Sequence, residues 1–124
     1  LQLDSFSGGR SFVVDDEVVI AEIMHRVLGD ARYDVVCAFG GPEALRVTAD
    51  QSFDLVLLDV NMPGLDGWHV LDELLQRDAG LPVIMVSGYA KQAEAEERGA
   101  RGLIQKPFDS SVMLAAVKDH VRSN

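Results

Sequence analysis

Residues 53–77, FDLVLLDVNMPGLDGWHVLDELLQR, hold two hydrophobic periods joined by a turn. Leu55 to Leu58 are apolar without alternation, which suits a strand covered on both faces. From Trp68 onward the period changes: Trp68, Leu71, Leu74 and Leu75 fall on one helical stripe. Between the two runs, Pro63 and Gly64 supply a turn and Asp66 an N-terminal cap. A buried strand followed by an amphipathic helix is a βα unit, and it needs similar units beside it to cover its faces.

Working outward, such units recur. Ser11 to Val14 reads as a first strand, followed by a helix from about Glu17 to Leu28 with Ile20, Ile23, Met24 and Val27 on one face and Gly29 ending it. Asp34 to Ala38 is a second strand. Gly41 is a candidate cap and Pro42 a first-turn residue for the next helix. Downstream, LPVIMVS (81–87) is a fourth strand, and AKQAEAEER (90–98) a helix that ends at Gly99. That helix offers mostly alanines to a core and should be the least firmly anchored. RGLIQ (101–105) is a fifth strand. DSSVMLAAVKDHV (109–121) is a last helix, capped by Asp109 or a serine, with Met113, Ala116, Val117 and Val121 inward. Five strand-then-helix units predict an α/β fold, a (βα)5 doubly wound parallel sheet.

Composition narrows the function. With 124 residues and 48% hydrophobic content the chain suits one domain with a real core. The expected division is a leader or linker remnant over 1–10 and the folded domain over 11–124. Eleven Lys and Arg against 20 Asp and Glu give a formal charge of −9, which argues against direct nucleic-acid binding. A single cysteine, Cys37, fits a reducing compartment, so a cytoplasmic location is expected. No apolar run approaches the roughly 18 residues of a membrane span. His25, His69 and His120 share no metal-ligand spacing, Cys37 reads as buried, and Trp68 reads as helix packing.

Right-handed crossovers send the C-terminal end of every strand to one edge, where ligands bind in such sheets. The strand-end residues are Asp15 and Asp16, then Asp59, Ser87, and Lys106 with Pro107. Adjacent carboxylates raise each other's pKa, so Asp15 and Asp16 need a cation or a helix N-terminus beside them. Read singly, each feature is ordinary: DDE before a helix is commonly a solvated first turn, and Ser87 beside Gly88 is a common loop pair. Three carboxylates, a hydroxyl and an ammonium on one edge are not.

These residues carry a resemblance. VVDDE, LLDVNMPGLDG, VSG and QKPF, in that order over about Ser11 to Val121, resemble the receiver domain of two-component response regulators. The resemblance implies the flavodoxin-like strand order 2-1-3-4-5. It also implies that Asp59 accepts a phosphoryl group from a histidine kinase or a histidine phosphotransfer protein and becomes 4-aspartylphosphate. Such a domain promotes its own phosphorylation and dephosphorylation without being a turnover enzyme, unless it belongs to a hybrid histidine kinase. The implied metal set for Mg²⁺ is Asp15, Asp16, Asp59 and the backbone carbonyl of Asn61, with Asp16 binding directly and Asp15 more through water. Lys106 would ion-pair with Asp59 and then with the phosphoryl oxygens, and Ser87 would donate a hydrogen bond to them. The Lys106–Pro107 peptide is expected to be cis. The output domain is expected elsewhere in the parent chain.

The chemistry suits these residue types. A carboxylate can attack phosphorus, but an anion must then approach an anion, so neutralisation is the main problem. Hard carboxylate oxygens suit Mg²⁺, which can bridge nucleophile and phosphoryl group. The sequence departs from the family at the switch position. An aromatic usually sits three residues before the lysine, where this chain has Leu103, so the switch assigned to Ser87 and Leu103 is expected to shift populations less or to leave by another face. Arg101 and Leu103 also do not favour a dimer through the last two helices. Two other function classes stand beside the phosphoacceptor: a Mg²⁺-dependent phosphohydrolase of the haloacid dehalogenase type and an unphosphorylated docking domain. Against the hydrolase, the acids here precede the nucleophile and Asn61 holds the place of its second acid.

Overall fold

The computed structural model describes residues 8–122. Ten elements alternate: β1 (Gly9–Val14), α1 (Val18–Asp30), β2 (Tyr33–Ala38), α2 (Gly41–Asp50), β3 (Leu55–Asp59), α3 (Gly67–Arg77), β4 (Val83–Ser87), α4 (Gln92–Glu97), β5 (Gly102–Gln105) and α5 (Ser110–His120). The strands form one sheet in the order β2-β1-β3-β4-β5, and every pairing is parallel. This is the predicted doubly wound fold.

The unbroken apolar run of β3 serves two cores. Val56 and Leu58 point into one layer with Ala44 of α2, Val70, Leu71 and Leu74 of α3, and Ala95 of α4. Leu55 and Leu57 point into the other, with Ala21, Met24 and Leu28 of α1 and Met113 and Val117 of α5. A two-residue side-chain period with both faces covered leaves no position for a polar residue. Asp66 caps α3 as expected, accepting a hydrogen bond from the backbone N–H of His69 at 3.1 Å.

Several boundaries differ. β1 begins at Gly9, so the last residues of the expected leader belong to the sheet: Gly9 pairs with Tyr33 and Arg10 with Asp34. The expected residues 1–7 of that leader lie outside the described residues. Gly9 has φ +105°, and a side chain there would also crowd the Asp54 carboxylate. α1 runs through Gly29, and Arg32 at φ 77° takes the left-handed position after it. Its inward seam is Ala21, Met24 and Leu28, with Ile20 and Val27 half-buried and Ile23 46% exposed. With Ala21 facing the sheet, Ile23, two positions on, falls on nearly the opposite side of the helix. Gly40, not Gly41, is the N-cap of α2, and Asp109 sits at the N-cap of α5 without a side-chain capping bond. Cys37 is half-buried. Trp68 packs against the core under the guanidinium of Arg98, 4.5 Å from the ring centroid. Among the described residues no helix is long and apolar enough to cross a membrane.

Candidate phosphoacceptor edge

Parallel strands deliver their last residues to one edge, and the structure gathers the predicted set there. Asp59 ends β3 and is 3% exposed, and Asp15 directly follows β1 at 1%. Carboxylate oxygens of Asp15, Asp16 and Asp59 all lie within 4.8 Å of one another. Lys106 reaches over from the end of β5, its Nζ 3.0 Å from Asp15 Oδ2 and 3.5 Å from Asp59 Oδ1. The Lys106–Pro107 peptide is cis.

Close packing behind Asp59 holds it in place. The Gly67 N–H donates to the Val60 carbonyl at 2.8 Å, and a Cβ on Gly67 would run into the Asp59 carbonyl and the Val60 Cα. Only glycine lets α3 start this close to the end of β3.

The electrostatics are unbalanced. Burial first, and the neighbouring charges of Asp15 and Asp16 next, push the Asp59 carboxyl up to about 7 against the pull of Lys106. Burial works against the charged form of Lys106, but contacts with Asp15, Asp59 and Glu17 outweigh it and hold its pKa above the ordinary lysine value. Asp15 Oδ1 accepts from the Glu17 N–H at 2.9 Å. Its Oδ2 lies within ion-pair distance of Lys106 but off the direction of a well-formed hydrogen bond, leaving that buried atom without a hydrogen-bond partner. A buried, unsatisfied carboxylate oxygen facing two more carboxylates is a donor set that fits a hard divalent cation.

A pocket of about 220 Å³ opens above these groups, lined by Glu17, Asp59, Asn61, Ser87, Gly88, Tyr89 and Lys106. Asn61 is exposed at its rim. Ser87 is 2% exposed, and its hydroxyl oxygen accepts from the N–H of Tyr89 at 3.1 Å and of Ala90 at 3.0 Å, which leaves its O–H proton to be donated. Leu103 lies apart from the pocket lining, half-buried against the core layer that α2, α3 and α4 cover. Sequence reasoning missed Glu17, whose carboxylate is 3.1 Å from Lys106 Nζ. It also passed over Gly67. A glycine directly after a capping aspartate was the available signal for the latter; nothing local pointed to the former.

Residues 12–118 match the family model of the response regulator receiver domain. Among solved structures, the chain is similar to the receiver domain of NtrX from Brucella abortus, with 33% identity and a TM-score of 0.86 over 92% of this chain and 99% of that one. It is also similar to a longer NtrX chain from the same organism, with 33% identity and a TM-score of 0.85. That match covers 90% of this chain and only 26% of the longer one. A CheY-like response regulator receiver domain protein from Methanospirillum hungatei JF-1 matches with 28% identity and a TM-score of 0.84, covering 89% and 90%. None of these matches supports the haloacid dehalogenase-type alternative.

Proposed function

Because the chain belongs to the response regulator receiver domain family, we propose that it takes a phosphoryl group from a phosphohistidine onto Asp59 in a Mg²⁺-dependent reaction. The observation that carries this reading is the position of a nearly buried carboxylate with one ammonium and two further carboxylates against it. Asp59 attacks as the anion, yet its surroundings favour the protonated form. Added positive charge is what makes the ionised nucleophile available.

In the transfer, an Asp59 carboxylate oxygen forms a bond to phosphorus while the P–N bond of the donor breaks, and the imidazole leaves with that bond's electron pair. Lys106 moves its charge from the carboxylates to the phosphoryl oxygens, as a flexible ammonium can. Asp15, Asp16, Asp59 and the backbone carbonyl of Asn61 would hold Mg²⁺. The ion supplies charge neutralisation and a template for nucleophile and phosphoryl oxygens. The product is 4-aspartylphosphate. The donor is a histidine kinase or a histidine phosphotransfer protein of the cytoplasm, and the output domain lies elsewhere in the parent chain. The match to a quarter of a longer NtrX chain supports that last point.

Ser87 is the natural relay. Its oxygen accepts from Tyr89 and Ala90, so its O–H is free to donate to a new phosphoryl oxygen, and any movement of the hydroxyl toward that oxygen stretches both bonds and loosens the loop leading into α4. That helix has six residues and buries only Ala95, so little holds it in one arrangement. Leu103 follows by repacking and, lacking a ring hydroxyl, shifts the populations less than an aromatic. The test is incubation with Mg²⁺ and a small acyl phosphate, read by intact mass and peptide mapping. One stable phosphoryl group on Asp59, absent from Asp59→Asn, is the expected result. Modification elsewhere, or continued turnover of a phosphate ester in a parallel incubation, overturns the reading.

A further inference from the structure

Glu17 stands at the mouth of the acceptor pocket with no structural task of its own. It is the N-cap residue of α1, yet its side chain makes no capping hydrogen bond. Its side chain is 61% exposed, and its carboxylate, 3.1 Å from Lys106 Nζ, is closer to the ammonium than Asp59 at 3.5 Å and rivals the buried Asp15 at 3.0 Å. It lines both the acceptor pocket and the adjoining groove formed with Ile20, Ile23, Pro107 and Phe108. An ion pair this exposed contributes little to stability. Its position is what matters: the negative charge lies where an anionic donor must enter, and it draws the ammonium to the rim.

Resting on the acceptor reading of Asp59, we propose that Glu17 is a positioning and specificity-determining residue that holds Lys106 toward the rim and disfavours phosphodonors in proportion to their negative charge. While Lys106 is held by Glu17, a donor's oxygens must share the ammonium with that carboxylate. Repulsion by Glu17 grows with donor charge and fades with salt.

The test compares the full chain with Glu17→Gln and Glu17→Asp, using Mg²⁺ and two donors. An acyl phosphate is a dianion and releases a carboxylate when its P–O bond breaks. Phosphoramidate is a net monoanion and releases ammonia when its P–N bond breaks. In both, a new P–O bond forms to Asp59. Glu17→Gln is expected to raise the second-order uptake rate about three- to tenfold for the dianion and about twofold for the monoanion, with both gains shrinking at high salt. Glu17→Asp keeps the charge and the wild-type donor ratio. In metal-free protein, the Lys106 side-chain NMR resonances are expected to shift in Glu17→Gln and much less in Glu17→Asp. Equal changes for both donors, or no change, overturn the specificity role; unmoved Lys106 resonances overturn the positioning role. Absence of uptake by the wild-type chain from either donor defeats the acceptor reading itself, while the resonances still decide whether Glu17 positions Lys106.

Discussion

The two edges of the sheet treat charge in opposite ways. At the edge where the strands begin, Arg10 pairs with Asp34 at 2.9 Å and Arg122 with Asp78 at 2.6 Å. Asp54 accepts the Arg10 N–H at 2.8 Å, and Arg122 also donates to the Phe53 carbonyl at 3.0 Å. Anions there meet donors almost one for one. At the edge where the strands end, the carboxylates of Asp15, Glu17 and Asp59 share the ammonium of Lys106, Asp16 lies within 4.8 Å of Asp15 and Asp59, and a buried oxygen of Asp15 lacks a hydrogen-bond partner. A structural edge closes its ion pairs. On the proposed function, an edge that must admit a cation and an anion together leaves them open, and the free fold is less stable for it.

Removing the cation breaks the comparison hardest. Lys106→Met leaves the acceptor edge with carboxylates alone, and uptake of a phosphoryl group from a small donor is expected to fall by about a hundredfold or more, the usual loss when one preorganised charge donor to a developing anion is removed. Intact-mass time courses measure it. A fall of less than about threefold would mean that Lys106 serves only to compensate the acids.

The next effect is on stability. The folded-state pKa of Asp59, about 7, lies above its ordinary 3.8, so the folded chain keeps a proton that the unfolded chain releases over that range. The resulting contribution is complete below about pH 4 and is lost as pH rises through about 7. Metal-free wild-type protein should therefore be less stable than Asp59→Asn at pH 8, by an amount on the order of a few kcal/mol that closes toward pH 4. Mg²⁺ at pH 8 should recover stability in the wild type and much less in Asp59→Asn. Denaturant midpoints across pH test both statements, and a gap independent of pH would sink the electrostatic account.

Much of this contrast was legible in the sequence, because parallel βα topology converts strand ends into one edge. Asp59 and Ser87 needed only the hydrophobic periods around Leu55–Leu58 and Val83–Val86, and Asp15 and Lys106 only the short strands that end at Val14 and Gln105. What stayed hidden was set by tertiary geometry. Glu17 and Lys106 are 89 positions apart, and no local pattern pairs them. The Ser87 hydroxyl could be assigned a donor role from its place in the chain, but its two backbone donors, Tyr89 and Ala90, depend on how the loop folds. The seam of α1 was misjudged because side-chain size favours Ile23 while close packing favours Ala21. The start of β1 was obscured because Gly9 and Arg10 join the sheet through backbone pairing with β2 and contacts to Asp34 and Asp54 rather than through apolar side chains.

The smallest effect lies at the paired edge. Arg122→Ala removes the contact to Asp78 and the bond to the Phe53 carbonyl, but Asp78 is 44% exposed, so solvent screening limits the loss to a few tenths to about 1 kcal/mol. The hydrogen bond from Arg122 holds the Asp78 carboxyl below the usual carboxylate range. Its contribution is therefore present above the ordinary aspartate pKa and lost as pH falls through the folded value, the opposite sign to Asp59. In acid, where the Asp59 contribution is greatest, the Arg122→Ala deficit should shrink to what the bond to the Phe53 carbonyl contributes. Phosphoryl uptake should not change, because a strand of about five residues separates the edges by roughly 17 Å, more than the ~8 Å over which exposed charges act at physiological salt. An altered uptake rate in Arg122→Ala would show that the edges are coupled mechanically through β3 and α3, since charge alone does not reach that far.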